Sequence, residues 1–322
     1  MFVLNSEIRI GKYAFNRVNE VTIVEDLEKI GTTATIRVPQ SAVLRKKGKF
    51  IADIETAKTI QVGDVVTIRL GYNGDLTQEF EGYVRNIQTG TPLSIECEDG
   101  VFVLKRKNLK KAFRSVNLKE LLNFILTDTG ITLANEPPSI QFEKFYFRDV
   151  SAASALEELK KTYGLTITTV SLSKLYVGLY SPVDNTVVKY TFGENVIDHD
   201  LEFVKEEDVR LEIKAIHIKR DNTKVEKTVG EKGGEKRTLY FYNLPKGSDL
   251  ETVAKEEIKK YRYNGFKGGL TAFLIPKVHA GNIVDLTDPI YTERHGRYLV
   301  KKVEISYGMS GARRKVSIGL KL

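Results

Sequence analysis

Two distant stretches of this chain open in the same way. Gly63-Asp64-Val65-Val66-Thr67-Ile68 and Gly281-Asn282-Ile283-Val284-Asp285-Leu286 each set a glycine and a small polar residue before a strand of alternating apolar residues. Period-two alternation marks a strand with one buried face. A second such strand follows each: Val84-Arg85-Asn86-Ile87 and Val300-Lys301-Lys302-Val303. Any two amphipathic strand pairs look somewhat alike, so the match stands as an expectation. It predicts two similar β modules, with Gly63 and Gly281 at equivalent turns.

The rest of the first hundred residues fits such a module. Glu7-Ile8-Arg9-Ile10 and Ala34-Thr35-Ile36-Arg37-Val38 alternate, and 65–70, 82–87 and 93–97 continue the series. Gly63-Asp64, Asn73-Gly74 and Gly90-Thr91-Pro92 punctuate it with residues that accept turn geometries. The run Arg45-Lys46-Lys47-Gly48-Lys49 reads as a hairpin tip or loop. A small sheet closed into a barrel suits this pattern.

The middle changes period. Leu118, Leu121, Leu122 and Ile125 share one helical face, with Asn117 as cap and Glu120 completing a capping box. A second helix is predicted over Ala152–Tyr163, capped by Ser151 and stopped by Gly164. The last part returns to β, with Ser248-Asp249-Leu250-Glu251 opening one more helix. The stretch from Lys219 to Arg237 is polar and charged and is expected as a long mobile hairpin or loop. The expected class is therefore α+β, mostly β. Two β-barrel-like modules, 1–104 and 190–322, flank an α+β unit at 105–189. The second module carries the charged hairpin 219–237 and a helix near 249–261.

The chain has 322 residues, long enough for about two domains and a sizeable core. Its single cysteine, Cys97, excludes an intrachain disulfide and a cysteine-rich zinc site. The longest charge-free run, 162–173, is too short to cross a bilayer, and no membrane binding is expected. The net charge of +8 permits an acidic partner without requiring one. Six basic residues crowd into ten positions: Lys105, Arg106, Lys107, Lys110, Lys111 and Arg114. They read either as a solvated face or as a partner interface. Only Phe113 interrupts them, so a base-stacking surface is unsupported.

No constellation for catalysis emerges. His199, His217, His279 and His295 show no metal-ligand spacing. Asp198, Asp200 and Glu202 alternate, and a pair of carboxylates there could hold a cation or move a proton, or simply line a strand edge. Gly230-Glu231-Lys232-Gly233-Gly234-Glu235-Lys236 lacks the ending of a phosphate loop, and Gly308-Met309-Ser310-Gly311 lacks the nucleophile-elbow spacing. Cys97 lies on a buried face between Glu96 and Glu98, which disfavours a thiolate. The expectation is no enzyme, no cofactor and no metal.

Taken in order, these features resemble a known family. Val62 to Gly71 followed by Phe80-Glu81-Gly82-Tyr83-Val84 looks like the first β module of phage tail hub proteins. Leu118 to Thr129, then Val150 to Gly164 and a strand reaching Leu175-Tyr176-Val177-Gly178, resembles their helical insert. Ala254 to Tyr261, Leu274-Ile275-Pro276, Ala280 to Val284, and Gly296 to Val303 through Val316-Ser317-Ile318-Gly319 resemble their closing module. The family is the late control gene D proteins of contractile phages. It includes the tail hub of Mu-like phages and the amino-terminal part of type VI secretion spike proteins. The stretch 219–237 matches nothing in it.

The resemblance implies a structural baseplate hub, homotrimeric, joining a sixfold tail tube to a threefold spike. Two modules in each of three chains would give six quasi-equivalent positions. No spike follows Leu322, which implies a separate spike protein. Other partners would be the tail tube protein and further baseplate proteins, with DNA only in transit. Such a chain would be made and assembled in the bacterial cytoplasm and would end in the virion tail baseplate. A prophage tail, a type VI-like apparatus and an extracellular injection particle would share these motifs. A second reading also stands, because Ser151 to Gly164 and its following strand look like a peptidoglycan-binding LysM unit. Since a strongly basic lumen would retain passing DNA, the six basic side chains are expected to face outward or toward an acidic protein.

Overall fold

The computed structural model describes the chain except for residues 1–2, 16, 47–48, 180–181, 243, 245–247, 260 and 293–294. The first module contains β1 (Leu4–Ile10), β2 (Tyr13–Phe15), β3 (Glu20–Asp26), β4 (Thr33–Val38), β5 (Ser41–Lys46), β6 (Lys49–Glu55), helix α1 (Thr56–Thr59), β7 (Val65–Tyr72), β8 (Asp75–Gln88) and β9 (Leu93–Glu98). The middle contains α2 (Val101–Leu104), β10 (Asn108–Phe113), β11 (Val116–Asn117), α3 (Leu118–Leu126), β12 (Thr132–Leu133), β13 (Gln141–Phe142), β14 (Phe145–Ser151), α4 (Ala152–Tyr163), β15 (Thr166–Ser171) and β16 (Lys174–Gly178). The last part contains β17 (Val187–Thr191), β18 (Val196–His199), β19 (Glu202–Val204), β20 (Leu211–Ile218), β21 (Lys224–Gly230), β22 (Glu235–Tyr242), α5 (Leu250–Lys259), β23 (Gly265–Lys267), β24 (Gly269–Ala272), β25 (Ile283–Thr287), β26 (Gly296–Gly308) and β27 (Gly311–Lys321).

The mostly-β α+β class expected from the patterns is what folds. The two modules are open sheets joined edge to edge. Strand β26 pairs antiparallel with β3, from Lys302 opposite Asp26 to Gly308 opposite Glu20. Among the described residues, thirteen strands thus form one large sheet in the order β18-β24-β27-β26-β3-β4-β9-β8-β7-β1-β2, with β25 on β26 and β17 on β25. Each module supplies alternate residues to one shared core, from Ile8, Ile23, Ile68 and Ile95 to Tyr190, Val284 and Val316. Pairing the modules leaves fewer bare edges than two separate sheets would have.

The α+β unit has its own core, built on Leu118, Leu121, Leu122, Leu156 and Phe142. Asn117 accepts from the Glu120 amide, and the Glu120 side chain bonds back to Asn117, so the predicted capping box is formed. Ser151 caps α4, and Gly164 ends it in a left-handed conformation with φ of 59°. Lys160 ties this unit to the first module. Its ammonium donates to the carbonyls of Leu27 (2.5 Å), Lys29 (3.2 Å) and Ile167 (3.2 Å).

Two expectations are corrected. Residues 219–237 do not form a long free hairpin. Strand β21 runs antiparallel along one edge of β20, and β22 runs parallel along the other. The two partners saturate both edges of β20, while Val229, Leu239 and Phe241 join Leu211, Ile213 and α5 in a third core. The boundary at 189 is also displaced. Strand β17 already belongs to the large sheet, because Val188 and Tyr190 face its core. The helix near 249–261 starts at Leu250, and Asp249 rather than Ser248 accepts from the amides of Glu251 and Thr252.

Candidate functional site

The residues screened for catalysis are dispersed. His199 packs edge-on to Phe192 (ring centroids 5.0 Å apart), His217 lies on β20, and His295 bonds to the Asp288 carbonyl over 2.9 Å. His279 meets Glu25 over 2.9 Å. Asp200 accepts from the Gly269 amide (2.5 Å) and from Lys315 (3.3 Å), and these bonds lower its pKa. Cys97 is buried in the first core, and burial pushes its thiol up to about 12. Residues 231–234 form the crossover from β21 to β22, and 308–311 form the β26–β27 turn. Among the described residues, no three of His, Cys, Asp and Glu are grouped as metal ligands.

The turn glycines present a different picture. Gly63 has φ of 97° and Gly281 of 94°, a region closed to most side chains. The Gly63 amide donates to the Val84 carbonyl over 2.9 Å, and the Gly281 amide donates to the Val300 carbonyl over 2.8 Å. In return Val84 donates to Asp64 and Val300 to Asn282, each over 2.9 Å. The side chain of Asp64 accepts from the Gln61 amide, and that of Asn282 from the His279 amide, each over 2.8 Å. Glycine supplies the positive φ, and the following Asx residue closes the turn.

The correspondence extends along the strands. The first module reads β3-β4-β9-β8-β7-β1, and the last reads β18-β24-β27-β26-β25-β17. Matched strands occur in the same chain order. Val65 lies opposite Tyr83 as Ile283 lies opposite Leu299. One pair departs from the pattern: β1 is antiparallel to β7, while β17 is parallel to β25.

Two edges stand out once the modules are aligned. The long strand β26 has β27 on one edge; its other edge is shared between β25 and, beyond Lys301, β3. The long strand β8 has β9 on one edge and β7 on the other as far as Tyr83. Past that point, among the described strands, nothing pairs with the β7-side edge of Asn86–Gln88. Strand β18, the counterpart of β3, ends the sheet.

Of the six basic residues, Lys105, Arg106, Lys110, Lys111 and Arg114 are exposed and Lys107 is half-buried. Lys105 pairs with the buried Glu98 carboxylate over 2.7 Å, and Arg106 lies 3.4 Å over the Phe102 ring. Lys107 donates to the carbonyls of Phe124 and Thr127 at the end of α3. Lys111 covers the rings of Phe113 and Phe124, while Lys110 and Arg114 are exposed. Four of the six thus also make contacts within the chain, which a count of charges along the sequence does not show.

A polar cavity of about 280 Å³ lies where the three units meet. Glu25, Glu79, Asp99, Lys277 and His279 line it. Burial would raise the Glu25 carboxyl, but His279 and the Ala280 amide hold it below its ordinary value. Burial pushes Asp99 up to about 6, against hydrogen bonds from Thr169, Thr32 and Val101. This cavity is a seam between units.

No family model and no curated protein matches the sequence, but solved structures do match the fold. A 43 kDa tail protein of prophage MuSo2 from Shewanella oneidensis superposes with a TM-score of 0.65 at 16% identity, over 99% of this chain and 97% of that one. A tail protein from Neisseria meningitidis MC58 gives 0.61 at 12% identity, over 99% and 96%. An E. coli component of the type VI secretion system, structurally similar to the T4 tail proteins gp27 and gp5, gives 0.60 at 8%, over 97% and 76%. The chain therefore has the fold of phage tail proteins and of a type VI secretion component. The likeness covers 97–99% of it, against a resemblance in the sequence that left 219–237 unmatched.

Proposed function

We propose that this protein is the structural hub of a contractile tail baseplate. Three copies would form a ring of six β modules, a sixfold platform for the tail tube on one side and a threefold seat for a separate spike on the other. The observation that carries this reading is the duplication: one chain holds two modules of the same strand order, closed by the same Gly63 and Gly281 turns. Two quasi-equivalent modules per chain are what a threefold assembly needs to present six equivalent positions. The fold shared with tail proteins supports it. The work is mechanical, so the reading includes no enzymatic activity, cofactor or metal, and DNA passes through without being held. The chain would be made in the bacterial cytoplasm and act in the baseplate of the particle.

The test has two parts. Light scattering on the purified chain should give three times the monomer mass. Deleting its gene from a producing strain should leave tubes or sheaths without complete baseplates. Complete particles in the deletion strain would overturn the proposal.

A further inference from the structure

The junction inside the chain predicts the junction between chains. Within one copy, β26 of the last module pairs with β3 of the first. The equivalent donor strand in the first module is β8, and among the described residues its edge past Tyr83 has no strand beside it. The equivalent acceptor in the last module is β18 with its continuation β19. Unpaired edges of this kind are templates for adding a strand.

We propose that the open edge of β8 in one copy pairs antiparallel with the β18–β19 edge of a second copy, and that the β5–β6 hairpin clasps the joint. This rests on the reading of the chain as a self-assembling hub.

The register can be derived. Val84 corresponds to Val300 through the glycine turns, so Gln88 corresponds to Glu304 and Asn86 to Lys302. Leu270 pairs with His199 as Ile36 pairs with Val21, so Glu202 corresponds to Val24 and Val204 to Asp26. Inside the chain Glu304 faces Val24, and Lys302 faces Asp26. Between copies, Gln88 should therefore face Glu202, and Asn86 should face Val204. Beyond the end of β8, the second copy's residues 196–200 would arrive at the β8–β9 turn.

The β5–β6 hairpin is fixed at that turn. The Gln40 side chain donates to the Gly90 carbonyl over 2.8 Å, and Thr56 closes the hairpin base on Gln40. The hairpin has no counterpart strand pair in the last module, and none of its described residues joins a core. It exposes Val43 (51%), Phe50 (62%) and Ile51 (53%). Arg45 lies near the end of β5 and Lys49 at the start of β6, and the facing stretch 194–208 carries seven carboxylates. On that stretch Ile197 is exposed and Asp198 is its neighbour. Charge and apolar surface are thus complementary across the same joint, and opposite charges there set register as well as attraction.

Residues directly opposite on antiparallel strands have Cβ atoms about 5 Å apart, within reach of a disulfide. The full-length Gln88→Cys/Glu202→Cys variant should, on mild oxidation, give covalent dimers and trimers on a reducing-agent-free gel. Each single variant should not. Native mass should stay that of the trimer. Oligomers that form without the cross-link would overturn this interface and leave the hub reading standing. A chain that is monomeric at every concentration tested would overturn both. As an independent arm, Arg45→Glu/Lys49→Glu should weaken the oligomer at least tenfold, and adding Asp198→Lys should recover part of the loss. An unchanged dissociation constant in the charge-reversed variant would remove the hairpin from the joint.

Discussion

Arg314 and Glu79 stand 235 residues apart in sequence and face each other over 2.8 Å, with 0% and 2% of their side chains exposed. Arg314 comes from β27 and Glu79 from β8, so the pair links the two modules behind their shared sheet. The guanidinium also donates to the carbonyls of Leu274 and Val278. Burial raises the Glu79 carboxyl, and Arg314 opposes that shift. Removing the arginine strands a buried carboxylate and two carbonyls. Arg314→Met should cost about 3–5 kcal/mol in urea unfolding. Glu79→Gln should cost less, because the amide oxygen still accepts. Equal losses would mean that the carbonyl contacts contribute little.

The two turn glycines should differ in tolerance. A Cβ at Gly281 would lie 2.4 Å from Val183, whereas at Gly63 the nearest atom is 3.8 Å away on Phe102. Both substitutions place alanine at positive φ, at roughly 1 kcal/mol or more. Gly281→Ala adds an overpacking cost of about 1–3 kcal/mol. Denaturation midpoints should therefore rank wild type, Gly63→Ala, Gly281→Ala, in falling order.

Asp99 should give the fold a pH dependence of definite sign. Its pKa rises from 3.8 to about 6 on folding, so the folded chain holds this proton more tightly than the unfolded chain does. The group's contribution is most favourable below pH 4, declines as pH rises to 6, and is flat above. Asp99→Asn removes that slope. The stability difference should move in favour of the variant between pH 4 and pH 7, by up to about 3 kcal/mol. A constant difference across that range would contradict the assignment.

The basic run should separate into two classes. Lys107 closes the end of α3, where a cation bonded to free carbonyls is favourable. Lys107→Gln should cost about 1 kcal/mol. Lys110→Gln and Arg114→Gln should each stay within about 0.5 kcal/mol, since exposed charges contribute little. Thermal melts of the three variants would distinguish a structural role from a surface one.

The elements were legible where a local rule governs them. The capping box of Asn117 and Glu120, the Ser151 cap, the Gly164 stop and the alternation of β7 and β26 all depend on neighbours a few residues away. The likeness between Gly63 and Gly281 was legible for the same reason, because a positive-φ turn before a strand leaves a local signature. The residues 219–237 misled because only Val229 of β21 is buried, so the strand looks like loop until β20 is placed beside it.

What the sequence determined by itself is which face of each element is apolar and where the period changes. Tertiary structure alone decided that β26 lies against β3, that Arg314 reaches Glu79, that four of six basic side chains make contacts within this chain, and that no described strand pairs with the β7-side edge of β8 past Tyr83. Alternation tells a strand which side to bury and carries nothing about which strand lies beside it. That choice is made by backbone hydrogen bonds, which are the same for every residue, and by the packing of side chains from segments far apart along the chain.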